Sequence, residues 1–141
     1  MSNGIILLDK AEGISSAKAI AEVKRNLKLS KIGHAGTLDP LATGLIVCLV
    51  GRATRLSSYA MHGEKVYSGK ILFGCKTLSD DITGEIIEES KAIPSFVQIQ
   101  SLIDRAFLGE IQQKPPQISA IKVDGKAAYA RVREDNEALD L

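Results

Sequence analysis

Residues 31–44, from Lys31 to Gly44, read KIGHAGTLDPLATG, and the six that follow, Leu45 to Val50, read LIVCLV. The second stretch has the length and composition of a buried strand. The first is its opposite: polar, turned, and carrying His34 and Asp39. Gly33, Gly36 and Gly44 permit backbone conformations barred to other residues. Pro40 restricts Asp39 to extended geometry, so the carboxylate is aimed rather than floppy. A loop held by a rigid element is the usual place for a catalytic carboxylate. His34 beside it can donate, accept or stack. The same residue types also fit a structural Asx-type turn, in which Asp39 caps backbone amides ahead of the strand. A metal site lacks ligands, since His34 and Asp39 have no evident third companion. A phosphate-cradling P-loop is excluded because no GK[ST] follows.

Working outward, GIILLD (Gly4 to Asp9) reads as a short buried strand. Ser15 and Ser16 offer N-caps for a helix in which Ile20, Val23 and Leu27 share a face. Beyond the central strand, ATRLSSYAM (Ala53 to Met61) predicts a helix, and EKVYSGKILFG (Glu64 to Gly74) a strand with a bulge near Gly69. TLSDDITG (Thr77 to Gly84) is a turn-rich loop, and EIIEES returns as a strand. Ser95 and Gln98 fit a capping box, followed by Ile99, Leu102, Ile103, Ala106 and Phe107 on one helical face. Gln113 to Arg131 reads as an extended Pro-Pro segment, a strand, an Asp-Gly turn and a helix start. This mixed order of strands and helices predicts an α+β (mixed α/β) domain.

With 45% apolar residues and only 4% aromatics, the core must be built from Ile, Leu, Val and Ala. A net charge of +1 gives no global sign of a nucleic-acid partner, so any basic face must come from local clustering. Lys10, Lys18, Lys24, Arg25, Lys28 and Lys31 do cluster ahead of the central loop, with Arg52 and Arg55 after it, while Asp80, Asp81, Glu85, Glu88 and Glu89 crowd the middle. Cys48 and Cys75 fit no CxxC or Cys/His metal spacing, and Cys48 reads as a free buried thiol. MSNGIILLDK is too short for a signal peptide, and no stretch approaches membrane-spanning length. A cytoplasmic protein with no membrane association is expected. VREDNEALDL at the end has little apolar content and no closing element, which suggests an N-terminal piece of something longer.

Gly33 to Leu56, GHAGTLDPLATGLIVCLVGRATRL, resembles the signature of the TruB family of tRNA pseudouridine synthases. GIILLDKAEGISS resembles that family's N-terminal motif, EKVYSGKILFG its segment bearing an active-site tyrosine, KTLSDDITGEI its Thr-Asp-rich turn, and PPQISAIKVDGKAAYARVRE its Pro-Pro and Ser-Ala-Lys motif. The likeness spans almost all of the chain, in order. It implies a pseudouridine synthase-like fold, with a largely antiparallel central sheet flanked by helices, incomplete over residues 1–141. It also implies conversion of a tRNA T-loop uridine to pseudouridine, without metal or organic cofactor. Asp39 matches the catalytic aspartate, either a nucleophile on base or ribose or a base toward the sugar. Tyr67 matches the tyrosine that stacks on the flipped uracil, its hydroxyl a candidate for proton transfer. His34 matches a histidine that holds the disrupted T-loop, Lys10 a lysine of the N-terminal motif, and Asp81 a supporting aspartate. On residue types alone, Tyr67 reads as a core aromatic, His34 as a hydrogen-bonded loop histidine and Lys10 as a surface charge.

Two departures stand out. The motif's Lys-Pro is here Lys10-Ala11, and the aspartate expected after Thr77 is Leu78. The family's catalytic domain continues past position 141 with an arginine that pairs with the catalytic aspartate, and a PUA domain follows. The resemblance implies tRNA as partner and a monomer without an obligatory protein partner. Segment order and spacing resemble the bacterial stand-alone enzyme more than the guide-RNA-dependent enzymes that share parts of the loop. The alternatives are such a guide-dependent synthase or a non-catalytic module that binds and remodels the tRNA elbow.

Overall fold

In a computed structural model, residues 2–113, 122–123 and 126–127 are described. The chain divides into two compact units, Met1–Ser68 and Gly69–Leu141.

The first unit is organised by the LIVCLV run. Strand β3 (Gly44–Val50) is the centre of a three-stranded antiparallel sheet, flanked by β1 (Gly4–Lys10) and β2 (Ile32–His34) in the order β1-β3-β2. Ile6 lies opposite Cys48 and Lys10 opposite Gly44, while His34 faces Cys48 from the other edge. Successive side chains point to opposite faces of a strand. Ile6, Leu8 and Lys10 accordingly turn inward, whereas Ile5 and Leu7 are exposed. The expected buried strand β1 is thus buried on one face only. Its inner face joins Ile46 and Cys48, both nearly inaccessible, with Ile20, Ile32 and Leu38 in one core. Cys48 is the free buried thiol expected, and burial pushes its pKa up.

Helix α1 (Ser16–Asn26) starts where the serines predicted, with the Ser15 hydroxyl accepting from the Lys18 amide at 3.2 Å. Ala19 and Ile20 are buried. Leu27 is not, because the chain leaves the helix there and Lys28 enters the left-handed region at φ 50°. After β3 come a 3₁₀ turn (Gly51–Leu56) and α2 (Ser57–Met61), so the single helix expected over Ala53–Met61 forms as two short pieces.

The second unit contains the antiparallel pair β4 (Cys75–Thr77) and β5 (Ile86–Glu89), helix α3 (Phe96–Ala106), and the short antiparallel pair β6 (Lys122–Val123) and β7 (Lys126–Ala127). The strand expected ahead of Asp124-Gly125 is present as β6, but Lys126–Ala127, where the sequence predicts a helix start, pairs back on it as β7. The Pro-Pro segment, Asp124-Gly125 and the residues from 128 onward lie outside the described residues. Ser95 and Gln98 form the predicted capping box, with the Ser95 amide donating to Gln98 Oε1 at 2.8 Å. The strand expected over Glu64–Gly74 is absent. A strand exists by virtue of a ladder partner, and none among the described residues pairs with it. Both units combine helices with antiparallel sheet, as an α+β reading requires.

Candidate active site

The loop between β2 and β3 is bracketed by two glycines in the left-handed region, Gly36 at φ 107° and Gly44 at φ 119°. A side chain would be strained at either position, whatever the space around it. Gly33, expected to serve the same purpose, does not: it lies outside that region, and a Cβ there would meet Thr54 Cγ2 at an ordinary 3.5 Å. Between the brackets, the Ala42 amide donates to the Asp39 carbonyl at 3.1 Å, closing a turn with Asp39 first and Pro40 second. Those residues suit those positions of a β-turn.

The Asp39 carboxylate itself is exposed and has no hydrogen bond or ion pair among the described residues. This sets aside the Asx-turn reading, which needs the side chain to accept from a neighbouring amide. It lines a cleft of about 950 Å³ in the first unit, together with Thr37, Leu41, Thr43, Lys65 and Tyr67. Tyr67 is 72% exposed, so it is not a core aromatic of this unit. Its ring and the Asp39 carboxylate therefore share one solvent-filled space.

The backbone on either side of Asp39 is held from below. Lys10 is 1% exposed, and its ammonium donates to the carbonyls of Ala11 at 2.9 Å, Ile14 at 2.8 Å and Pro40 at 3.1 Å. An ammonium has three donors, and all three are used. The Gly13 amide donates to the same Pro40 carbonyl at 2.8 Å. Lys10 is thus neither a surface charge nor a group facing the cleft; it reaches the site through the residue after Asp39. On the other side, Ser16 is 2% exposed and bonds both polar groups of the Leu38 backbone. Leu38 also packs its side chain on the core.

His34 ends β2, with its ring Nδ1 2.6 Å from the Gly36 carbonyl. A carbonyl only accepts, so Nδ1 carries a proton, and in the neutral tautomer this requires, Nε2 is left as the acceptor. Asp81 belongs to the second unit. Its Oδ1 accepts from Ser79 Oγ, Thr83 N and Thr83 Oγ1 at 2.7–2.8 Å, and the Thr77 hydroxyl donates to its carbonyl. The Thr83 hydroxyl above all, then the Ser79 hydroxyl and the amides of Thr83 and Gly84, hold its carboxyl below the usual range, against a contribution from burial that raises it. Of the five expected site residues, then, Asp39 and Tyr67 line the cleft. His34 stands at the loop's start and Lys10 lies beneath it. The cleft hydroxyls of Thr37 and Thr43 and the anchor at Ser16 went unread in the sequence. For Ser16 a signal was present: two serines stand at a helix start where one suffices as cap.

The family model described as the N-terminal domain of TruB family pseudouridylate synthases matches residues 24–139. The chain belongs to the TruB family. It is 44% identical to tRNA pseudouridine synthase B of Leifsonia xyli, over 99% of this chain and 47% of that protein. With tRNA pseudouridine synthase B of Thermobifida fusca it shares 44% identity, over 100% of this chain and 48% of that protein. The chain spans about half the length of these curated relatives. Among solved structures, one described as a crystal structure of a Cbf5-Nop10-Gar1 complex superposes with a TM-score of 0.52 at 29% identity, covering 84% of this chain and 31% of the other. That similarity extends the family assignment to the fold.

Proposed function

We propose that the protein carrying this chain isomerises a T-loop uridine of tRNA to pseudouridine, with Asp39 as its catalytic residue. The observation that carries the reading is an exposed Asp39 carboxylate, without a partner among the described residues, lining one cleft with an exposed tyrosine. A base inside a folded RNA must be flipped out before chemistry on it. Tyr67 offers the stacking face for it, a contact worth roughly 1–3 kcal/mol. The ionised Asp39 then attacks base or ribose, or takes a proton from the sugar, and the base rejoins through carbon. Substrate and product are isomers, so the reaction has no net redox change, and the resemblance to the family implies no metal or organic cofactor. His34 offers Nε2 to the opened T-loop. Lys10 serves by holding Pro40 rather than by touching RNA, and Asp81 supports the site by ordering its turn. In this reading residues 1–141 are the N-terminal portion of the catalytic domain, and the rest of that domain and a PUA domain complete a cytoplasmic monomer.

Tritium release from an unmodified tRNA transcript labelled at uracil C5, with the protein as its gene encodes it, tests the reading. Release without added guide RNA is expected. Release only with a guide RNA would identify a guide-dependent enzyme, and tRNA binding without release a non-catalytic module.

A further inference from the structure

The Asp39 side chain has no partner among the described residues, so its direction is set by the backbone that carries it. Two residues flank it. Pro40 is fixed through its carbonyl by Lys10 and Gly13. Leu38 packs its side chain on the core, and its backbone is held by a single group, the Ser16 hydroxyl, which donates to the Leu38 carbonyl at 2.7 Å and accepts from the Leu38 amide at 2.9 Å. One side chain, itself 2% exposed, thus satisfies both polar groups of the half-buried residue before Asp39, across 22 positions of sequence. Ser15 next to it makes a different bond, capping α1 through the Lys18 amide.

We infer that Ser16 is a positioning residue for Asp39: it ties the start of α1 to the loop and fixes the backbone from which the carboxylate projects. This rests on Asp39 being the catalytic residue. Without the hydroxyl, both Leu38 groups lose their partner inside the protein, and a buried polar group left unsatisfied is strongly disfavoured. The loop then shifts to find others. A displacement near 1 Å at a reacting group can lower a rate by about a hundredfold.

The test compares Ser16→Ala, Ser16→Thr and Ser15→Ala in the protein as its gene encodes it. It reads amide hydrogen exchange at Leu38 and Ala19 together with kcat and KM on unmodified tRNA. Ser16→Ala is expected to speed exchange at Leu38 much more than at Ala19, and to lower kcat at least about tenfold with KM little changed. Ser16→Thr, which keeps the hydroxyl, restores Leu38 protection and kcat. Ser15→Ala loosens the helix start and exchange at Ala19 but leaves kcat alone. Equal kcat in Ser16→Ala and Ser15→Ala, or Leu38 exchange untouched by Ser16→Ala, overturns the inference. Should wild-type protein release no tritium, the functional reading fails, and the Leu38 exchange alone decides whether the anchor exists.

Discussion

Asp39 and Lys10 are both charged residues of one loop system, yet their surroundings assign them opposite work. Asp39 has solvent and a cleft before it; Lys10 has three carbonyls and no solvent. Asp39→Asn keeps shape and removes charge, so turnover on tRNA should vanish while affinity stays within a few-fold; appreciable pseudouridine in the product would end the assignment. Tyr67→Phe keeps the stacking face and Tyr67→Leu removes it. If the ring alone matters, Phe retains near-normal turnover and Leu does not. If the hydroxyl handles a proton, both lose turnover while Phe still binds, and normal rates in both would strip Tyr67 of a role. Lys10→Met takes the ammonium from the Ala11 and Ile14 carbonyls, each costing about 1–3 kcal/mol if it stays buried and unpaired, while the Pro40 carbonyl keeps the Gly13 amide. A large drop in melting temperature is expected, with the salt dependence of tRNA binding unchanged. The residue types told of Asp39 because glycine and proline chemistry around it is local. They could not tell of Lys10, because its acceptors at Ala11 and Ile14 are backbone atoms, which any sequence supplies, and its third lies 30 positions away.

Elements were legible where their determinants are local and illegible where a partner decides. The α3 cap was written in Ser95 and Gln98 and forms as written; Ser95→Ala should reduce stability by about 1 kcal/mol, seen as lower helicity by circular dichroism. The apolar face of α3 was equally plain, yet Leu102 and Phe107 remain exposed in the described structure. Periodicity marks the side that can be buried, not what buries it. Glu64–Gly74 failed as a strand for the same reason, since β-propensity gives no ladder partner. The Thr77–Gly84 turn is held by the Asp81 carboxylate, and its acid response follows from the direction of its pKa. A carboxyl depressed in the folded protein adds stability above its unfolded pKa and loses it as pH falls through the folded value. Thr83 amide exchange should therefore rise as pH drops below about 4, after correction for intrinsic exchange. Asp81→Asn should abolish that dependence, and a pH-independent wild-type turn would refute the account.

Over the whole molecule, the near-neutral charge hides a division. Residues 1–68 hold nine Lys and Arg against five Asp and Glu, and residues 69–141 nine against twelve. A phosphate backbone responds to local rather than total charge. Lys24, Arg25, Lys28, Lys31, Arg52 and Arg55 are all exposed in the unit that carries Asp39. Lys10, which the sequence grouped with them, is not available. If tRNA lies along this unit, each neutralised phosphate adds just under one unit to the log–log slope of affinity against salt. Reversing Lys31 and Arg52 together should weaken tRNA binding and flatten that slope by about two units if each meets one phosphate. Glu88→Lys, in the acidic strand β5, should alter neither. An unchanged slope in the double reversal, with normal folding, would mean that RNA approaches by a different face and that these cations are only a solvated surface.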